Sequence, residues 1–222
     1  MEIEIQSIAK RYRNKEVLRD VCFSAKSGEC IGILGNNGTG KSTLLSILAG
    51  VQASDSGAFL YEGRDLFRYP KQRSQLVGYV PQGTPLIEEL TAWDNLRLWY
   101  DTGTLRQELN QGFLAMLGIG EFIRTPVSKM SGGMKKRLSI GCAIAQKPPV
   151  LLLDEPMASL DLPCKQRISR YLQKHKEAGG ILLLATHDVM ELALCDKWYI
   201  LKGGALTPFQ YDGNLQTVVD SL

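Results

Sequence analysis

Three stretches of the chain are apolar at every position: CIGIL at 30–34, VLLL at 150–153 and ILLL at 181–184. Each is followed by a loop and then by apolar residues at helical spacing. A strand that is apolar throughout has both faces covered, and strand–helix alternation is the pattern of a mostly parallel sheet with helices on its two sides. The pattern predicts the α/β class. Before and after the first run, residues 3–5, 21–24 and 56–61 predict strands with shorter connections, and hence a small antiparallel sheet near the N-terminus. Between 84 and 146 the strand signal fades, while 93–100, 105–117 and 135–145 show the spacing of helices. We expect a helical insertion there. The last part predicts a helix over 162–178, the third apolar strand, a helix from Asp188, and a closing strand pair at 197–201 and 205–207.

Composition narrows this picture by exclusion. The chain has 222 residues, enough for a well-buried core without staples. No uncharged apolar run approaches the roughly 20 residues needed to cross a bilayer. The first residues, Met1-Glu2-Ile3-Glu4-Ile5-Gln6, alternate like a strand and lack the zones of a secretion signal, so a cytosolic location is expected. The five cysteines (Cys22, Cys30, Cys142, Cys164, Cys195) are odd in number and contain no CxxC pair, which predicts reduced, mostly buried thiols. The net charge of +3 comes with no long basic block, and no nucleic-acid partner is expected.

Chemistry first appears where the run at 30–34 ends. Gly35-Asn36-Asn37-Gly38-Thr39-Gly40-Lys41-Ser42 matches GxxxxGK[ST], and Thr43 and the residues after it continue as a helix. In the order strand, loop, helix, glycines let successive N–H groups turn inward around phosphate oxygens. The helix N-terminus adds favourable partial charge, Lys41 reaches the outer phosphates, and Ser42 offers a hydroxyl to Mg²⁺.

The run at 150–153 leads directly into Asp154 and Glu155. Two carboxylates at the end of a buried strand lie on the edge where open α/β sheets bind ligands. Asp154 suits a Mg²⁺ ligand beside Ser42, and Glu155 suits the polarisation of an attacking water. Taken alone, the pair would serve equally well to cap the next helix.

Six short motifs occur in a fixed order: the glycine loop ending at Ser42, Gln82 in Gly78-Tyr79-Val80-Pro81-Gln82, Ser131-Gly132-Gly133, Asp154-Glu155-Pro156, Ser159-Leu160-Asp161, and His187. In this order and approximate spacing the chain resembles the ATP-binding-cassette (ABC) family, specifically the nucleotide-binding subunits of ABC transporters, over nearly its whole length. The resemblance implies a P-loop NTPase core with a mostly parallel sheet, an N-terminal antiparallel β-subdomain and a helical insertion. It divides a single domain, 1–222, into a nucleotide-binding core at 1–83 and 147–222 and a helical subdomain at 84–146. It also implies ATP and Mg²⁺. It further implies that two cassettes face each other head to tail, so that Ser131, Gly132 and Gly133 of one complete the ATP site of the other.

Carried over by position, the resemblance makes Gln82 a contact of Mg²⁺ or of the lytic water, and His187 a partner of the γ-phosphate that orients the water with Glu155. Asp161 falls in the loop that communicates across the dimer, and Tyr12 at the place where adenine stacks. Without the family, Tyr12 between Arg11 and Arg13 reads as a surface aromatic, and His187 as a helix-start histidine. His175 is expected on an exposed helix with no role, and Lys135-Lys136-Arg137 as a solvated face.

The sequence also departs from the family pattern. Met130 and Met134 stand where leucine and glutamine are usual around the signature, and a thioether is a poor hydrogen-bond acceptor. Leu162 follows Asp161 in place of the frequent proline. The resemblance implies an ATPase that pairs with a second copy or a related cassette and drives a separate membrane permease from the cytoplasmic face, with export slightly favoured by Met134 and the short C-terminus. Leu86, Ile87, Leu90, Trp93, Leu96 and Trp99 fall where the family docks its permease. A soluble ABC ATPase without a membrane partner is the alternative. A GTPase is disfavoured because the one Asn-Lys pair, Asn14-Lys15, lies before the glycine loop and lacks the following Asp.

Overall fold

A computed structural model describes all residues except Ser159, His187 and Asp188, and all side chains but theirs and those of Val189, Met190 and Leu215. Its strands are β1 (Glu2–Tyr12), β2 (Lys15–Lys26), β3 (Cys30–Leu34), β4 (Ser56–Tyr61), β5 (Arg64–Asp65), β6 (Val77–Val80), β7 (Val150–Asp154), β8 (Ile181–Ala185), β9 (Lys197–Lys202) and β10 (Ala205–Phe209). They form a four-stranded antiparallel sheet, β2-β1-β4-β5, and a six-stranded sheet, β10-β9-β3-β8-β7-β6, parallel except for its β9–β10 edge.

The apolar runs occupy the middle of the larger sheet, where period-two alternation sends neighbouring residues to opposite layers. Ile31, Ile33, Val150, Leu152, Ile181 and Leu183 pack with Leu44, Leu45 and Leu48 of α1 (Lys41–Ala49) and with Ile3, Ile5 and Phe59 of the smaller sheet. Cys30, Leu151, Leu153, Leu182 and Leu184 face the other way, toward a helical layer. Both faces are therefore dry, and polar groups are left to the ends of the strands.

After the short α2 (Pro70–Leu76), the helical layer begins with α3 (Ala92–Arg97), α4 (Thr102–Gln111), α5 (Phe113–Met116) and α6 (Gly132–Ala143). It continues with α7 (Leu162–Glu177), and the chain ends with α8 (Val189–Leu192) and α9 (Leu215–Ser221). The helix read at 105–117 is in fact two, broken at Gly112, where the Glu108 carboxylate accepts a hydrogen bond from Phe113 N at 2.9 Å. That bond draws the next turn inward. Residues 93–100 form a shorter helix ending at Arg97, which starts at a Thr91–Asp94 capping box. The third helix, α6, begins three residues earlier than the periodicity suggests, because Ser131 caps it by accepting from Met134 N at 3.3 Å.

Two expectations from the sequence are corrected here. Lys136 and Arg137 are buried, not solvated. Arg137 donates to Leu117 O at 2.9 Å and lies 4.8 Å from the ring centre of Phe122, joining α6 to the turn after α5. His175 is half-buried beside Tyr171, and burial lowers its pKa. Among the thiols, Cys30, Cys164 and Cys195 are buried, Cys142 is partly covered and Cys22 is exposed, and all five are free.

Tyr100 fastens this layer, its buried hydroxyl donating to Gly141 O of α6 at 2.9 Å. Removing that hydroxyl leaves the packing of the ring nearly intact but costs the bond. Tyr100→Phe is expected to lower unfolding stability by about 1 kcal/mol, read as a lower urea midpoint at unchanged slope.

Candidate nucleotide site

The parallel strands deliver their functional residues at one edge. From the end of β3 the chain turns through the glycine loop into α1, with Gly35 at φ 156° and Gly40 at φ 111°. A methyl at Gly40 would lie 2.8 Å from Val17 Cγ1, so this backbone is open to glycine alone. Lys41 is 6% exposed, and its ammonium donates to Gly35 O at 2.6 Å and Asn36 O at 3.1 Å. The lysine thus folds back over its own loop. Burial pulls its pKa down, while Glu155 and Asp154 act in the opposite direction.

Asp154 ends β7, opposite Ala185 of β8, and is 2% exposed. Burial raises the pKa of its carboxyl against a hydrogen bond from Ser42 and the charges of Lys41 and Lys136. Glu155 comes next with φ 46°, a left-handed conformation costly for a residue with a side chain. Its N–H donates to Ala185 O at 2.8 Å, anchoring the turn to the neighbouring strand. Its carboxylate accepts from Gln82 Nε2 at 3.0 Å, so the loop after β6 reaches across to the end of β7.

Asn37, Gly38, Lys41, Ser42, Gln82 and Glu155 line one cleft of about 380 Å³, together with Val17 and Thr43. Ser131, Gly132 and Gly133 stand elsewhere, at the exposed start of α6. A Cβ on Gly132 would have no neighbour within 4 Å among the described residues, and its φ needs no glycine. Asp161 caps α7, accepting from Cys164 N at 2.9 Å, and that hydrogen bonding holds its carboxyl below the usual range. Tyr12, 44% exposed, stands outside the cleft. Its hydroxyl donates to the Gln52 amide oxygen, and Gln52 Nε2 donates to Thr43 O at 3.2 Å, tying Tyr12 to the first turn of α1. His187 lies outside the described residues.

Sequence reading missed Gln52 and Lys136. Lys136 Nζ donates to Pro81 O at 3.0 Å and Gln82 O at 3.1 Å, spanning from α6 to the loop that carries Gln82. A usable signal existed: Lys136 lies four residues from both Gly132 and the buried Ile140, on one stripe of α6. Of the residues expected to dock a partner, Leu96 is fully buried, Leu86 and Trp93 pack against the core, and Ile87 and Trp99 are exposed. Trp99 and Leu86 line a largely apolar groove of about 540 Å³ with Val51, Tyr79, Cys142 and Ala143.

The raised pKa of Asp154 has a consequence for stability. Where the folded pKa exceeds the unfolded one, the folded state binds the extra proton, so stability falls as pH rises from the ordinary aspartate range through the folded value. Asp154→Asn lacks that loss. Without nucleotide, the variant is expected to unfold at higher temperature than the wild type at neutral pH, with the gap closing as pH is lowered through the carboxylate range. A gap that stays constant with pH would contradict the assignment.

Residues 18–158 match the family model described as ABC transporter. The chain is 35% identical over 213 residues to a spermidine/putrescine import ATP-binding protein, PotA, of Spiroplasma citri, covering 92% of this chain and 60% of that protein. It is 32% identical over 225 residues to a lipopolysaccharide export system ATP-binding protein, LptB, of Acidithiobacillus ferridurans, covering 98% and 92%. The fold superposes with a TM-score of 0.81 and 26% identity on the dimeric post-hydrolysis structure of the ATP-binding cassette MJ0796 bound to ADP and Pi, covering 94% of this chain and 99% of that one. The chain thus spans about 60% of the length of its PotA relative. Import and export proteins match at similar identity, so the leaning toward export gains no support. The chain belongs to the ABC transporter family and carries that family's ATP-binding ATPase domain.

Proposed function

We propose that this chain binds Mg²⁺-ATP on the glycine loop, pairs head to tail with a second copy or a related cassette, and hydrolyses ATP to drive a separate membrane permease on the cytoplasmic face. The observation that carries this reading is the bare N-terminus of α6. No described residue of its own chain requires the missing side chain at Gly132, so the close approach it permits suits another molecule. Exposed N–H groups at the start of a twelve-residue helix suit the γ-phosphate of an ATP held by the opposing subunit.

Within one subunit the chemistry divides among the cleft residues. Lys41 exchanges its two loop carbonyls for phosphate oxygens, recovering a full charge partner in a buried place. Tyr12, anchored through Gln52, offers its ring to adenine, and the N–H groups of Asn36, Asn37, Gly38, Thr39 and Gly40 surround the phosphates. The hydroxyl of Ser42 and the carboxylate of Asp154 stand close enough for Ser42 to weigh on the Asp154 pKa, and oxygen donors of this kind fit a hard cation. With Gln82 nearby, they would hold Mg²⁺, which when bound neutralises phosphate charge.

Glu155, held by its backbone turn and by Gln82, accepts a proton from the water that attacks the γ-phosphorus. The bond from that phosphorus to the bridging oxygen breaks, leaving ADP and phosphate. His187 is assigned its contact with the γ-phosphate by the resemblance alone, and Asp161 is assigned to the dimer interface on the same ground. In this reading 1–83 and 147–222 form the nucleotide-binding core and 84–146 the helical subdomain. The apolar groove beside Trp99 and Val51 receives a short helix of the permease. No helix among the described residues is long and apolar enough to cross a membrane itself.

Two variants test the reading. Glu155→Gln is expected to bind ATP as the wild type does, lose turnover by roughly two orders of magnitude or more, and accumulate a nucleotide-bound dimer on gel filtration. Unchanged turnover would remove Glu155 from its role. Ser131→Arg is expected to keep ATP binding to the monomer while abolishing hydrolysis, measured by fluorescent-nucleotide titration and phosphate release. Normal hydrolysis in that variant refutes the shared site.

A further inference from the structure

We infer that Lys136 is a positioning residue for hydrolysis: from the signature helix it fixes the main chain at Pro81 and Gln82, so that the Gln82 side chain meets Glu155. The inference rests on the reading that Gln82 and Glu155 act at the terminal phosphate. A lysine ammonium has three N–H donors, and here two go to successive carbonyls of one loop, at 3.0 and 3.1 Å. Lys136 is 5% exposed, so its ammonium has little access to water and depends on these two carbonyls for its hydrogen bonds. Desolvation works against the charge, while Asp154, Glu191 and Glu155 favour it. A cation kept in so crowded a place, when its neighbour Lys135 lies nearer the surface on an ion pair with Glu88, is held for what it grips.

The geometry forms a chain of contacts. Ser131 caps α6, Lys136 lies one turn further along the same helix, its ammonium holds the backbone of Gln82, and Gln82 Nε2 donates to Glu155 at 3.0 Å. A shift of α6 when its N-terminus meets a phosphate would therefore move the backbone of Gln82 with it. Neither Lys136 nor its carbonyl partners line the cleft, apart from Gln82 itself, so the effect is indirect and should appear in turnover and not in nucleotide affinity.

Lys136→Met keeps the length and apolar stem of the side chain but has no donor, whereas Lys136→Arg keeps the charge and its donors. In the purified full chain, K136M is expected to lower kcat for ATP by roughly 10- to 100-fold with KM within about two-fold of wild type, as misplacement of a reacting group does. K136R is expected to recover most of that loss. Amide hydrogen exchange at residues 82–84 should quicken in K136M without nucleotide and return toward wild type in K136R. On a Gln82→Ala background, K136M should add no further loss, because both changes act on one contact.

Wild-type kcat in K136M, a loss carried by KM, unchanged exchange at 82–84, or full additivity with Gln82→Ala would each overturn the inference. If Gln82→Ala alone leaves turnover intact, the role of Gln82 falls, and the inference with it. If Gln82→Ala is impaired and K136M is not, only the inference falls.

Discussion

The site depends on a sheet that is dry on both faces. Ile31, Ile33, Leu152 and Leu183 face one layer and Leu151, Leu153, Leu182 and Leu184 the other, so no position within these strands can hold a polar side chain without burying it. Polar groups are displaced to the strand ends, and at the carboxyl ends of β3 and β7 they converge. The register of β7 with β8 places Asp154 level with Ala185, and the next N–H, that of Glu155, bonds to Ala185 O. The same apolar packing that stabilises the fold sets the position of both carboxylates to within the tolerance of a strand ladder.

Crowding at that edge makes the charges interdependent. Lys41 and Lys136 carry positive charge toward Asp154 and Glu155, and burial weighs on the ionised forms of both lysines and of Asp154. None of these ions has ample water, so each relies on the others and on backbone carbonyls for compensation. Lys41 is satisfied by two carbonyls of its own loop, an arrangement that a polyphosphate can displace because it supplies formal charge where the loop supplies only dipoles. Lys136 is satisfied by carbonyls of a different loop and does not line the cleft.

What could be read from the sequence divides along the same line. The glycine loop, Asp154, Glu155 and the three apolar strands were legible because each is a local pattern: consecutive apolar residues, or fixed spacing within eight positions. The contacts that make a site of them were not. Gln82 and Glu155 are separated by 73 residues, Tyr12 and Gln52 by 40, and Lys136 and Gln82 by 54, and no periodicity records such pairs. The break at Gly112 was hidden because apolar spacing continues through it, while Gly112 turns to extended backbone and Glu108 accepts from Phe113 N. Strand β6, Val77–Val80, was not read as a strand because in the sequence it stood only as the approach to Gln82. Lys136 and Arg137 were misplaced on the surface because basic residues usually are there, yet α6 is buried on nearly every side from 136 to 141.

That burial gives α6 its significance. A helix enclosed through its middle moves as a rigid rod with whatever its side chains hold, and this one holds two things: Arg137 grips the turn at Leu117 and Gly118, and Lys136 grips the loop at Pro81 and Gln82. Its remaining feature is a free N-terminus with no side chain at Gly132 to obstruct approach. A force applied there has two outlets, one into the helical layer and one into the cleft, and both run through hydrogen bonds from charged donors to backbone carbonyls. Such bonds fix main chain, not a single rotamer, so the displacement they carry arrives at Gln82 as a movement of the whole residue. A helix that merely capped its own end would not need buried cations on its inner face; the two here, Lys136 and Arg137, tie that end to the loop beside Glu155 and to the helical layer.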